Sequence, residues 1–251
     1  YLVDIKRDGT IDLDHLKDLL RPDTIAVAIT LVDSELGTVQ PVQEIAEILK
    51  AYPHCHFHVD ATQAVGKIPV SFEGVDTMSL TAHKFYGLNG IGLLLKRRNL
   101  ALEPLIHGGE STTLYRSGTP TVALASSLAL ALELAVEQLP QHRDAVRKAN
   151  DFLRAELSRY PKVRINSPEN AIPQILNLSV QDVKGTVFQR ALDEKGVCVS
   201  VKSACSSDGM PSRAVFAVSR DRRNALSSWR ISLSHLTTEK DLRGFLAAFD
   251  A

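Results

Sequence analysis

Apolar and polar positions along this chain fall into two textures. In the first half, β-branched apolar runs alternate with amphipathic stretches. "TIAVAITLV" (Thr24 to Val32) reads as a buried strand. After Pro41, "VQEIAEILKAY" places apolar residues at 42, 45, 46, 48 and 49, the stripe of a helix that starts at a proline. "CHFHVD", "DTMSLT" and "GIGLLLK" follow as three more strands. Strands alternating with helices predict an α/β domain with a largely parallel sheet.

From Thr121 to Tyr160 the pattern is helical almost throughout, with a break at Pro140. Beyond it, short strands ("ILNLSV", "VCVSV", "WRISLS") mix with helices at about 184–195, 211–218 and 237–249. This change predicts residues 1–140 as part of a large domain and 141–251 as a smaller α+β domain.

Composition narrows the class of protein without naming it. The 251 residues are 44% hydrophobic and 23% charged, as in an ordinary globular chain. Lys+Arg and Asp+Glu both number 29, so no net field favours nucleic acid or an anionic membrane surface. No apolar run approaches the length that spans a bilayer. Three cysteines, Cys55, Cys198 and Cys205, make no disulfide framework and suit a reducing compartment, here expected to be the cytoplasm.

In open α/β sheets ligands gather at the carboxyl ends of strands. Three chemically loaded segments fall there: Asp33, Ser34 and Glu35 after the first strand, Asp60 and Gln63 after the second, and Thr81, His83 and Lys84 after the third. A carboxylate and an amine at successive strand ends suit pyridoxal phosphate. The lysine forms a Schiff base, and the carboxylate keeps the pyridine nitrogen protonated so that the ring accepts electrons. On pattern alone, Asp60 serves equally as a helix cap and Lys84 as a snorkelling surface lysine.

Cys205 lies in a small, polar run, "VKSACSSDGMPS", and is expected in an exposed loop with Lys202 as a nearby cation. By its residues alone it is an ordinary loop cysteine or a reactive one. Cys198, in "GVCVSV", follows strand alternation and is expected in the core. Around Cys55, the histidines 54, 56 and 58 share one strand face, which raises a zinc reading. No distant Cys/His pair completes a tetrahedral set, so zinc is disfavoured.

Four motifs in order, "HVDATQAVGKIPV", "TAHKFYGLNGIG", "HGGES…YRSGTPTV" and "SACSS", closely resemble the cysteine desulfurases of the NifS/IscS type, within the class V aminotransferases. The resemblance runs from Tyr1 to about residue 249. It implies the aspartate aminotransferase-like fold of pyridoxal phosphate enzymes. It further implies that Lys84 holds the cofactor, Asp60 pairs with the pyridine nitrogen, and Gln63 contacts the phenolic oxygen. Thr81 and His83 would bind the phosphate, and Thr119 would reach the cofactor phosphate of the other subunit in a homodimer. Arg230, otherwise an exposed strand arginine, would clamp the carboxylate of L-cysteine. Cys205 would take the sulfur as a persulfide, leaving L-alanine, and pass it to an iron–sulfur scaffold or a tRNA-thiolation enzyme. Other class V reactions, selenocysteine lysis or transamination, share the scaffold, and an inactive fragment is the remaining alternative.

The chain departs from the family at "DSELG", where "NNEIG" is usual, so Ser34 stands in place of an asparagine beside the phenolic oxygen and substrate. Lys202 stands where glycine is common. The family's N-terminal phosphate loop and ring-stacking histidine have no counterpart here. Taken as a truncated enzyme, the chain is expected to be unstable alone or rescued by dimer contacts, and to bind cofactor weakly.

Overall fold

The computed structural model describes residues 1–109, 113–202 and 210–251. Two sheets divide it. The first is formed by β1 (Ala26–Thr30), β2 (His56–Asp60), β3 (Thr77–Thr81) and β4 (Gly92–Lys96), in that spatial order. β1, β2 and β3 run parallel, and β4 returns antiparallel along β3. Two helices accompany this sheet: α1 (Leu13–Leu19), capped by the Asp12 carboxylate, and α2 (Val42–Leu49), which begins just after Pro41. α2 buries Val42, Ile45, Ala46 and Leu49, the stripe its sequence predicts.

The helical half of the chain forms α3 (Val122–Glu137) and α4 (Leu139–Leu157), bent by 68° relative to one another. The break falls at Gln138, two residues before the expected Pro140. Proline is tolerated in the first turn of a helix because the N–H it lacks there has no helical partner, so Pro140 opens α4 instead of interrupting it. No single helix among the described residues is long and apolar enough to cross a membrane.

The second sheet is antiparallel: β5 (Val163–Ile165), β6 (Ile175–Val180) and β7 (Ser228–Ser232) in sequence order. Around it lie α5 (Gly185–Asp193), α6 (Arg213–Ser219), α7 (Arg222–Ser227) and α8 (Glu239–Asp250). Three residues of β5 and six of α7 carry too little periodicity to be read from sequence. "VCVSV" forms no strand; only Ser200 bridges to Arg230. Cys198 is accordingly exposed, not in the core, its nearest partner being Asp193 Oδ1 at 3.8 Å. Alternation alone misplaced it, because no neighbouring strand pairs along that stretch.

Three apolar clusters result among the described residues. One gathers Phe57, Val59, Met78, Leu80 and Phe85 between the first sheet and its helices. A second gathers Leu153, Leu157, Leu176, Leu178 and the fully buried Trp229. A small third one packs Leu36 against Val215 and Ala225. Ile172 and Ile175 belong to the first although β6 belongs to the second sheet. A buried hydroxyl ties the loop after β1 to β6: Ser167 Oγ donates to Leu36 O at 2.7 Å and accepts from Asn177 N at 2.8 Å.

Replacing that serine tests the junction. Ser167→Ala leaves one buried carbonyl and one buried N–H without their partner, and is expected to lower unfolding free energy by about 2–4 kcal/mol in a denaturant titration.

Candidate active site

Parallel pairing decides where the chemistry collects. Thr30 is in register with Asp60, and Asp60 with Ser79. Three carboxyl ends therefore open on one edge, where the backbone leaves the sheet through 31–37, 61–67 and 82–87. His56, His58 and Asp60 project from one face of β2, while Phe57 and Val59 fill the core from the other. The Thr77 hydroxyl meets both histidines, His56 Nε2 at 2.7 Å and His58 Nδ1 at 2.9 Å. A polar row thus leads along the sheet to Asp60. Cys55 lies just before β2 and is buried, and burial raises its thiol pKa. Among the described residues no three His, Cys, Asp or Glu side chains cluster as metal ligands.

Asp60 ends β2, and its Oδ1 accepts from Thr62 N at 2.9 Å, which turns the chain at once. The next residues make successive turn bonds, Val65 N to Ala61 O and Ile68 N to Ala64 O, and the Lys67 ammonium comes back to Gln63 Oε1 at 3.3 Å. Gly66 then takes φ +75°. A Cβ at that position would stand 2.9 Å from Phe85 Cβ and 3.1 Å from Ala135 Cβ. Only glycine lets the turn after Asp60 pack this tightly beneath the segment carrying Lys84.

Lys84 ends a single 3₁₀ turn, Ala82–Lys84, that follows β3 directly. Its side chain is exposed, in the first segment beyond the sheet edge. Thr81 holds the start of that turn by donating to Ile91 O at 3.1 Å, and its hydroxyl lies 3.0 Å from His83 Nδ1. Two residues beyond Lys84, Tyr86 adopts φ +70°, uncommon for a bulky side chain. Its ring stands edge-on to His235 with centroids 4.7 Å apart. His235 stacks in turn on His142 of α4 at 3.6 Å and 4°. The Lys84 segment is thus braced against both α4 and the end of β7.

Arg230, on β7, reaches the site from the second sheet. Its Nη1 donates to Ser34 O at 2.6 Å, and Nε is buried without a hydrogen-bond partner among the described residues. Burial lowers its pKa, while Glu35 and Asp33 act in the opposite sense. Glu35 is itself held by a bond from Ser212 Oγ at 2.6 Å. The expected exposed strand arginine is therefore a half-buried one, and one of its donors is unused. Ser34 contributes its carbonyl to this contact, a role that its side-chain identity does not announce.

Asp60, Gln63, Thr81, His83 and Lys84 share the edge, and Ser34 and Arg230 join it. Thr119 is exposed in the loop between β4 and α3, and Cys205 lies outside the described residues. The sequence reading missed Gly66 and Lys67; their signal was the glycine in "QAVGK", which marks a turn able to bring 67 back to 63.

The family model described as aminotransferase class-V matches residues 2–245. The chain belongs to this family. Its members depend on pyridoxal phosphate. The cysteine desulfurase IscS of Dictyoglomus turgidum is 39% identical over 243 residues, covering 95% of this chain and 61% of that protein. A solved NifS-like protein superposes with a TM-score of 0.90 at 34% identity, over 98% of this chain and 66% of the other. A structure described as SspA in complex with cysteine gives 0.77 at 30% identity, over 95% and 67%. The chain thus spans 61% of the IscS relative's length. The aspartate aminotransferase-like fold expected from the resemblance is the fold found.

The His142–His235 stack predicts a pH effect on stability. Burial and the neighbouring His142 lower the pKa of His235 in the folded chain, so the unfolded chain binds the extra proton first. Stability is then lost as pH falls below the ordinary histidine value of about 6.5. Denaturation midpoints at pH 7.5 and 5.5 should differ less in His235→Gln than in the unmodified protein.

Proposed function

We propose that this chain carries the cofactor site and the sulfur-accepting loop of a cysteine desulfurase, converting L-cysteine to L-alanine with the sulfur held as a persulfide on Cys205. One observation carries the reading: Asp60 and Lys84 leave adjacent parallel strands on one edge, with Arg230 delivered beside Ser34. The donor set fits pyridoxal phosphate. It offers an amine, a carboxylate, an amide, a hydroxyl beside an imidazole, and a guanidinium with a spare N–H.

In this reading Lys84 is the residue that bonds the cofactor and later moves the proton at the substrate α-carbon. Asp60 holds a proton on the pyridine nitrogen, and Gln63 and Ser34 serve the phenolic oxygen. Thr81 and His83 hold the phosphate, and Thr119 serves that of the second subunit in a homodimer. When bound, the cofactor supplies an electron sink for bonds broken at the substrate. Arg230 orients L-cysteine by its carboxylate; the half-buried guanidinium with a spare donor suits that task. The Cys205 thiolate attacks the substrate sulfur. An S–S bond forms, the C–S bond breaks with its electron pair left on carbon, and a proton there completes alanine.

Several findings support this choice. The IscS relative is named a cysteine desulfurase, and the SspA structure is described with cysteine. A thiol at 205 has no task in transamination. The persulfide sulfur passes to an acceptor protein, an iron–sulfur scaffold or a tRNA-thiolation enzyme, in the cytoplasm.

Three variants test the roles separately. Lys84→Ala should lose the visible cofactor band and any borohydride-fixed cofactor. Cys205→Ser should keep the band yet lose alanine formation from L-cysteine on the order of a thousandfold. Arg230→Gln should raise KM for cysteine about a hundredfold. Alanine release at the unmodified rate by Cys205→Ser would sink the desulfurase reading.

A further inference from the structure

Lys67 stands where no role has been assigned to it. It follows the left-handed Gly66 at the end of the turns that leave Asp60, and its Nζ lies 3.3 Å from Gln63 Oε1. An ammonium has donors only, whereas a glutamine amide has one accepting and one donating edge. The contact therefore engages the oxygen edge and leaves Nε2 on the diverging branch. Among the described residues, Nε2 has no protein partner.

The charge environment is as unusual as the contact. The Lys67 side chain is half-buried, and among the described residues no carboxylate lies within ion-pair distance of it. Its charged neighbour is another cation, Lys84. Burial, and then the charge of Lys84, bring the Lys67 pKa down to about 8. A half-buried ammonium beside a second cation is costly in isolation, and an anionic oxygen placed near both relieves that cost.

We propose that Lys67 is a positioning residue for the cofactor: by donating to Gln63 Oε1 it fixes the amide with its NH₂ edge free for the phenolic oxygen, and its charge beside Lys84 favours that oxygen as an anion. This rests on the pyridoxal phosphate reading above. A lysine that merely covered apolar surface with its stem would be replaceable by methionine. One that sets amide orientation and local potential is replaceable only by arginine, which also donates and keeps its charge.

The test uses the intact protein loaded with pyridoxal phosphate, reading cofactor affinity and the pH midpoint of the visible absorption band. Removing a nearby positive charge makes the adjoining nitrogen hold its proton to higher pH. Lys67→Met and Lys67→Gln should therefore raise the midpoint by about half a unit to one unit and weaken cofactor binding about tenfold. Lys67→Arg should stay within about twofold of the unmodified affinity, with its midpoint unmoved. In a Gln63→Ala background the affinity loss from Lys67→Met should largely vanish, because the two residues act as one unit. An unchanged midpoint and affinity in Lys67→Met and Lys67→Gln would overturn the assignment. If the unmodified protein takes up no cofactor at all, the pyridoxal phosphate reading fails first and the assignment of Lys67 falls with it.

Discussion

The parallel pairing of β2 with β3 is the constraint on which the rest of the molecule depends, because it sends two chains out of the sheet in the same direction, one strand spacing apart. Had β3 run the other way, Asp60 and Lys84 would leave the sheet at opposite ends. The register, Asp60 opposite Ser79, then fixes how far each loop extends before its functional residue. The two departures also use different turns, successive ones after Asp60 and a single 3₁₀ turn before Phe85. Gly66 at φ +75° lets those two turns touch through Phe85. Strand order, register and one glycine together turn a sequence separation into a shared site.

The second sheet serves this edge by delivering Arg230. A cation half-buried between two cores needs partners there, and it has the Ser34 carbonyl with Asp33 and Glu35 close by. Glu35 is fixed by Ser212, and Ser167 ties Leu36 to β6, so with Arg230 the loop after β1 is held at three points from the second half of the chain. The same segment is where the chain reads "DSELG". Its backbone, more than its side chains, makes these contacts, which is why serine in place of asparagine at 34 leaves the junction with Arg230 intact.

Charges at the edge are sorted by position. Lys67 and Lys84 stand side by side, while Arg230 has Asp33 and Glu35 close to it and Asp60 ends β2. For a phosphorylated ring with a phenolic oxygen, the lysine pair supplies local attraction. Asp60 sits at the strand end where a protonated ring nitrogen would need a carboxylate.

Sequence by itself determined the element types wherever periodicity was long enough to read, as in α2 and the strands of the first sheet, and the motif order was enough to point to the family. Residue chemistry at strand ends likewise marked Asp60, Thr81, His83 and Lys84, since strand ends are where parallel sheets open. Tertiary structure alone decided what depended on long-range packing. It moved the helix break from Pro140 to Gln138, put Cys198 outside a core that alternation had promised, and half-buried Arg230 against a carbonyl 196 residues away. It also set Lys67 against Gln63 and beside Lys84, because a charge environment is fixed by neighbours in space, and no local pattern in the chain encodes which cation will stand next to which.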